Sequence, residues 1–145
     1  GLEHNEQGAP STVAAHHLAQ LGKRRGKLEA FDYGDAWAEI RGAGGLAIVT
    51  WGSASGAVFE AASRLETQGR TVRVIAVRLL APLRSQALAQ ALDGAEQVWV
   101  VEQNQGAQFF GYLNAKRALP PNARSFARPG PLPLRPGEIA NTLSE

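Results

Sequence analysis

Along the second two-thirds of the chain, apolar residues come in blocks. "LAIVTW" (46–51), "TVRVIAVRLL" (71–80) and "QVWVVEQ" (97–103) are short, nearly continuous apolar runs. Runs of this kind fit strands buried on both faces, as in a parallel sheet covered by helices. Between them the spacing becomes helical. Ala57, Val58, Ala61, Ala62 and Leu65 recur on one face, and Gly69 ends that segment. "SQALAQALDG" turns Leu88 and Leu92 inward, with Ser85 at its start and Gly94 after its end. "GAQFFGYLNAKRAL" places Phe110 and Leu113 on one stripe and Lys116 and Arg117 at its C-terminal end. "RSFARPG" reads as a weak edge strand and "PGEIANTL" as a short helix that Pro136 opens. The order from residue 46 is therefore β-α-β-α-β-α-β-α, which predicts a parallel sheet with helices on both faces. Residues 46–51 are expected between 71–78 and 97–103.

The first third is less regular. "GLEHNEQGAP" is polar and reads as a loop or linker. "STVAAHHLAQLGKRRGKL" reads as a helix capped by Ser11 or Thr12, with Ala14, His17, Leu18, Leu21 and Leu28 on one stripe. Its basic residues come late, where they suit the negative end of the helix dipole. "FDYGDAWAEIRGAGG" is ambiguous and offers a short strand near Ala30–Tyr33 or near Trp37–Ile40. Residues 1–28 are read as a linker and N-terminal helix, and 29–145 as one α/β domain.

The turn after the first apolar run, "GSASG" (52–56), sits where many α/β proteins hold a phosphate on free helix amides. The residues do not carry a known phosphate loop. Only Gly52 and Gly56 are present, so the dinucleotide fingerprint is incomplete, and Gly56 is followed by Ala57 where a Walker loop needs Lys. A nucleophile elbow is absent too, and no His follows residue 17 to serve Ser53 as a base. The turn reads as the way a strand becomes a helix, with Gly52 turning the chain and Ser53 or Ser55 capping.

Composition removes further classes. The 145 residues suit one domain with a self-sufficient core. No apolar stretch is long enough to span a membrane. Without cysteine, the chain has no disulfide and no thiolate ligand for zinc or an iron–sulfur cluster. Without methionine, it is expected to be a piece of something longer. The net charge of +2 and the single basic run "KRRGK" fall short of a nucleic-acid face. His16 and His17 point apart on a helix, and Glu3, His4 and Glu6 lack a fourth partner, so no metal site is expected. Glu102 stands alone at the carboxyl end of a strand, where α/β proteins place functional groups. Catalysis by paired carboxylates has no second member here. The chain reads as a non-catalytic module that packs against something.

Five segments in order, "GLEHNEQGAPS", "VTWGSASGAVFEA", "VRLLAPL", "VVEQNQGAQF" and "RPGPLPLRPGEI", resemble the C-terminal part of the α subunit of 2-oxoacid:ferredoxin oxidoreductases, nearest to the 2-oxoglutarate type. The segment "DAWAEIRGAGG" departs from that pattern as an insertion. The resemblance implies the transketolase C-terminal fold, a three-layer α/β/α sandwich whose mixed five-stranded sheet has its first strand antiparallel, supplied by region 30–41. It implies a parent reaction that oxidatively decarboxylates a 2-oxoacid to its acyl-CoA and passes electrons to ferredoxin. Thiamine diphosphate, Mg²⁺ and iron–sulfur clusters would serve that reaction outside this chain. The implied partners are the rest of the α subunit, the β subunit and, through the complex, ferredoxin, in the cytoplasm. Gly52, Ser53, Glu102, Gln103, Asn104 and Gln105 are expected to form an interface, with no catalytic, cofactor or metal ligand among them. Two other readings stay open: the equivalent domain of another thiamine enzyme (a 2-oxoacid dehydrogenase β chain or a transketolase), and a small nucleotide- or anion-binding module.

Overall fold

The structure, a computed structural model, describes residues 2–144. It divides into two compact units after Gly34.

The first unit is a hairpin and a helix. β1 (Glu3–His4) pairs antiparallel with β2 (Pro10–Ser11), and α1 (Ala14–Ala30) follows. The Asn5 side chain holds the hairpin turn by accepting the N–H groups of Gln7 at 3.1 Å and Ala9 at 2.9 Å. Both guanidinium nitrogens of Arg24 reach the Glu3 carboxylate, at 2.8 and 2.5 Å, and fasten the hairpin to α1. The expected cap is corrected: α1 starts after Val13 with no side-chain cap. Ser11 instead accepts the Val13 N–H just outside the helix and bonds the His16 ring at 2.9 Å. The leucine stripe is uncovered, with Leu18, Leu21 and Leu28 exposed and Gln20, one turn from Arg24, buried. Spacing identifies an apolar face, but only a neighbouring element buries it.

A 3-10 turn, Gly34–Trp37, spans the division, and the second unit continues with β3 (Ala38–Gly42), β4 (Leu46–Trp51), a second 3-10 turn (Gly52–Ala54), α2 (Ser55–Thr67), β5 (Val72–Val77), α3 (Ser85–Ala91), β6 (Gln97–Glu102), α4 (Gln108–Ala115), β7 (Arg124–Ala127) and α5 (Pro136–Ser144). The sheet order is β3-β5-β4-β6-β7. Strand β4 lies between β5 and β6, parallel to both, and β7 closes the far edge parallel to β6. Strand β3 is the antiparallel edge strand, pairing Ala38 with Val77 through Gly42 with Arg73. Of the two segments open in the sequence, 38–42 enters the sheet and 30–33 does not. The segment "DAWAEIRGAGG", expected to be an insertion, instead builds the edge strand of the sheet and its tight exit. A Cβ on Gly44 would fall 2.0 Å from the Thr71 carbonyl carbon, and one on Gly42 would fall 2.2 Å from the Val72 oxygen. Glycine lets the chain pass that close to β5.

Alternation along the central strands feeds two cores. Ile48, Val72, Val74 and Trp99 face α2 and α5, where Val58, Leu65, Ile139 and Leu143 are buried. Val49, Ile75, Val77 and Val100 face α3 and α4, where Leu88, Phe109 and Leu113 are buried. Each fully buried aliphatic side chain contributes roughly 1.5–3 kcal/mol. The result is the expected three-layer α/β/α sandwich. One stripe is corrected: α4 buries Phe109 with Leu113, four residues apart, and leaves Phe110 partly exposed.

Candidate functional site at the carboxyl edge of the sheet

Parallel strands bring the loops after β4 and β6 to the same edge, because Val49 is in register with Val100. After Trp51 the chain turns at Gly52, whose φ is +61°, makes one 3-10 turn and enters α2. Ser53 lies inside that turn and Ser55 is the first residue of α2, so neither caps the helix with its side chain. The Ser55 N–H bonds to the Gly52 carbonyl. Ser85, likewise, begins α3 without a side-chain cap before it.

Glu102 ends β6 and is 0% exposed. Its Oε2 accepts the Phe109 N–H at 2.7 Å and its Oε1 the Phe110 N–H at 2.9 Å. The Asn104 amide donates to Oε2 as well. These backbone groups belong to the first turn of α4, which has no intrahelical partner of its own and carries positive partial charge. Ala107, which precedes α4, sits at φ 47°, ψ 45°, a left-handed conformation that alanine rarely adopts. The carboxylate grips the helix beyond this residue and holds the reversal in place. Asn104 completes the closure, since its Oδ1 accepts the Gln108 N–H at 3.2 Å. Buried charge-assisted hydrogen bonds of this kind are about twice as strong as neutral ones.

Gln103 faces the other way and clamps a second loop. Its Nε2 donates to the Leu132 carbonyl at 3.0 Å and its Oε1 accepts the Leu134 N–H at 3.2 Å. Arg128 gathers the same loop, donating to the carbonyls of Pro129, Leu132 and Pro133 while pairing with Glu138 of α5. Two anchors of the loop therefore fix "RPGPLPLRPG", within which Leu132 is 60% exposed. Trp51 is 40% exposed at the end of β4, its ring 6.0 Å from that of Phe109.

The structure thus brings Glu102 and Asn104 together, sends Gln103 to the proline loop, and leaves Ser53 and Gln105 on the surface. Trp51, Leu132 and Arg128 were missed in the sequence. Arg128 had no visible partner there, because its carbonyl acceptors belong to a fold of the loop and not to a motif. Among the described residues no three His, Cys, Asp or Glu side chains gather as a metal site. With no cysteine in the chain either, thiolate ligands for an iron–sulfur cluster are lacking. No described helix is long and apolar enough to cross a membrane.

Comparison with known proteins agrees with this architecture. Residues 36–112 match the family model for the transketolase C-terminal domain. Along 99% of its length the chain is 28% identical to 2-oxoacid:ferredoxin oxidoreductase 2, subunit alpha, of Aeropyrum pernix, and spans 23% of that protein. It is 27% identical to the corresponding α subunit of Saccharolobus solfataricus over 83% of this chain and 20% of that one. Among solved structures it is similar to a 2-oxoglutarate:ferredoxin oxidoreductase from Magnetococcus marinus with 2-oxoglutarate, coenzyme A and succinyl-CoA bound. That match has a TM-score of 0.73 and 27% identity, over 99% of this chain and 25% of the other. The chain spans about a quarter of the length of these relatives. Sheet order, antiparallel edge strand and the matched segment agree, and the chain belongs to the transketolase C-terminal domain family.

Proposed function

We propose that this chain is a domain of the α subunit of a 2-oxoacid:ferredoxin oxidoreductase, of the 2-oxoglutarate type. Within it the domain supplies structure and a docking edge and no catalytic group. The parent complex oxidatively decarboxylates its 2-oxoacid to the acyl-CoA and passes electrons to ferredoxin in the cytoplasm. Two α-subunit relatives support the assignment, and the Magnetococcus marinus enzyme supports the substrate class. Thiamine diphosphate and the clusters belong to other parts of that complex.

One observation carries the non-catalytic reading: the acidic side chain at the carboxyl edge, Glu102, is fully buried and accepts hydrogen bonds from α4 and Asn104. A general base must instead reach substrate. The surface left at this edge consists of Gly52, Ser53, Gln103 and Gln105, with Trp51 and Leu132 as apolar anchors. An aromatic anchor within a polar, uncharged surround suits a specific protein contact. We assign its partner to the rest of the α subunit or the β subunit, with Glu102 and Asn104 shaping the loop from beneath. Residues 1–28 serve as the arm that leads into this domain.

The test uses the full complex. Glu102→Gln and Asn104→Ala should weaken subunit association while leaving turnover near normal in the complex that assembles. A Gln variant that assembles normally and loses most of its turnover would make Glu102 catalytic and overturn the reading.

A further inference from the structure

We infer that α1 docks on a helix from the remainder of the same natural polypeptide, through adjoining leucine and small-residue faces. The inference rests on the reading of this chain as one domain of a longer α subunit.

Among the described residues, six of the nine large exposed apolar ones lie in the first unit: Leu2, Val13, Leu18, Leu21, Leu28 and Phe31. On a helix, Ala14, Leu18, Leu21 and Leu28 fall within an arc of about 80° and extend for about 21 Å. Leu18 is 70% exposed. Beside that arc, Ala15, Ala19, Gly22 and Gly26 fill a further arc of about 60°. All four are exposed, and a Cβ placed on Gly22 or Gly26 meets nothing within 4 Å.

These glycines weaken the helix they sit in. The helix also lacks a side-chain cap. A 17-residue helix so built draws its stability from tertiary cover. A flat strip of Ala and Gly beside a row of Leu is the surface that admits a second helix at short interaxial distance. The Leu row supplies apolar area and the Gly strip lets the backbones approach.

The occupant follows from connectivity. The Aeropyrum pernix relative aligns with 99% of this chain, the α1 segment included, yet carries roughly three-quarters of its length outside the match. A helix in that remainder is tethered to α1, and tethering gives it an effective concentration that a second copy at micromolar levels does not reach. A lipid surface is the rival occupant, and the vesicle arm of the test separates it.

Amide exchange on this chain and on the natural full-length polypeptide, with no other subunit present, tests the inference. Wild-type α1 should exchange at least tenfold more slowly in the full-length polypeptide. Gly22→Ala with Gly26→Ala should reverse sign between the two. In this chain the pair should slow α1 exchange several-fold, because alanine favours helix and the space is empty. In the full-length polypeptide it should speed α1 exchange at least tenfold, because the added methyl groups meet the covering helix. Equal wild-type exchange in both contexts would overturn the inference. So would protection that appears only with a second subunit, with rising protein concentration or with anionic vesicles, and so would an Ala pair that slows exchange in both. A turnover assay of the full complex separates the two readings. An active 2-oxoacid oxidoreductase with an unprotected α1 sinks only the docking, while a protected α1 in a polypeptide without that activity sinks only the family function.

Discussion

The carboxylate of Glu102 accepts the backbone N–H of Phe109 at 2.7 Å, seven residues further along the chain. The last residue of a central strand thereby closes the first turn of the next helix. The whole loop between them, Gln103 to Ala107, is held by that contact and by the two bonds of Asn104.

Removing this acceptor should be costly in the domain itself. Glu102→Ala leaves the buried Phe109 amide and the part-buried Phe110 amide without their acceptor, and an unsatisfied buried donor costs about 1–3 kcal/mol. A loss of about 2–4 kcal/mol in unfolding free energy is expected for Glu102→Ala, with a smaller loss for Glu102→Gln, which keeps one oxygen. Denaturant midpoints at unchanged slope check this. Full stability in the Ala variant would mean that the capping contact does not hold the loop.

The hairpin of the first unit should loosen in acid. The Arg24 guanidinium, hydrogen-bonded to Glu3, holds its carboxyl down from 4.5 to about 2. A depressed folded value stabilises above the unfolded value, so the contribution is complete above about 4.5 and disappears as pH falls towards 2. Titration of the Glu3 carboxyl by NMR should show the low value, and Arg24→Ala should return it towards 4.5. An unchanged Glu3 titration in the Ala variant would show that Arg24 is not the cause.

Two leucines should separate stability from association. Leu65 is fully buried between α2 and the sheet, and Leu65→Ala should cost about 2–5 kcal/mol. Leu132, exposed at the carboxyl edge, should change stability by less than about 0.5 kcal/mol when truncated to Ala. The same Leu132→Ala change should weaken subunit association in the full complex, as measured by sedimentation. Unchanged association would remove Leu132 from the docking edge.

Arg128 should not tolerate lysine. Its guanidinium bonds the carbonyls of Pro129, Leu132 and Pro133 and pairs with Glu138. A lysine has a single ammonium head and cannot reach these acceptors together. Arg128→Lys should lower the thermal midpoint and speed proteolysis in 129–134. A Lys variant as resistant as wild type would show that Gln103 alone holds this loop.

The centre of the fold was readable from the residues. "LAIVTW", "VRVIAV" and "QVWVVE" are continuous apolar runs, and a strand covered on both faces needs that composition and little else. The period that sets α2 is equally local, since Val58, Ala61 and Leu65 lie on one face of a helix in any context. From residue 46 on, the strands and helices, their order and the two-sided core follow from these short-range patterns, whereas residues 1–10, which read as a loop or linker, form the β1–β2 hairpin. The carboxyl edge was legible as a place, because parallel strands end together. It was not legible as a set of contacts.

Those contacts depend on which groups meet after the chain reverses. Serine at 53 and 55 looks like a cap, but a 3-10 turn intervenes, and the cap of α4 comes from Glu102 across a loop with Ala107 in a left-handed conformation. Phe109 and not Phe110 turns inward because the helix starts at Gln108, a phase fixed by that same carboxylate. Arg128 meets carbonyls that adopt one arrangement only once Gln103 holds Leu132 and Leu134. The leucine row of α1 shows the limit most plainly. Its period is written in the residues, but burial depends on an element to cover it, so sequence alone determined that the row exists and tertiary structure decided that the hairpin of its own unit does not cover it.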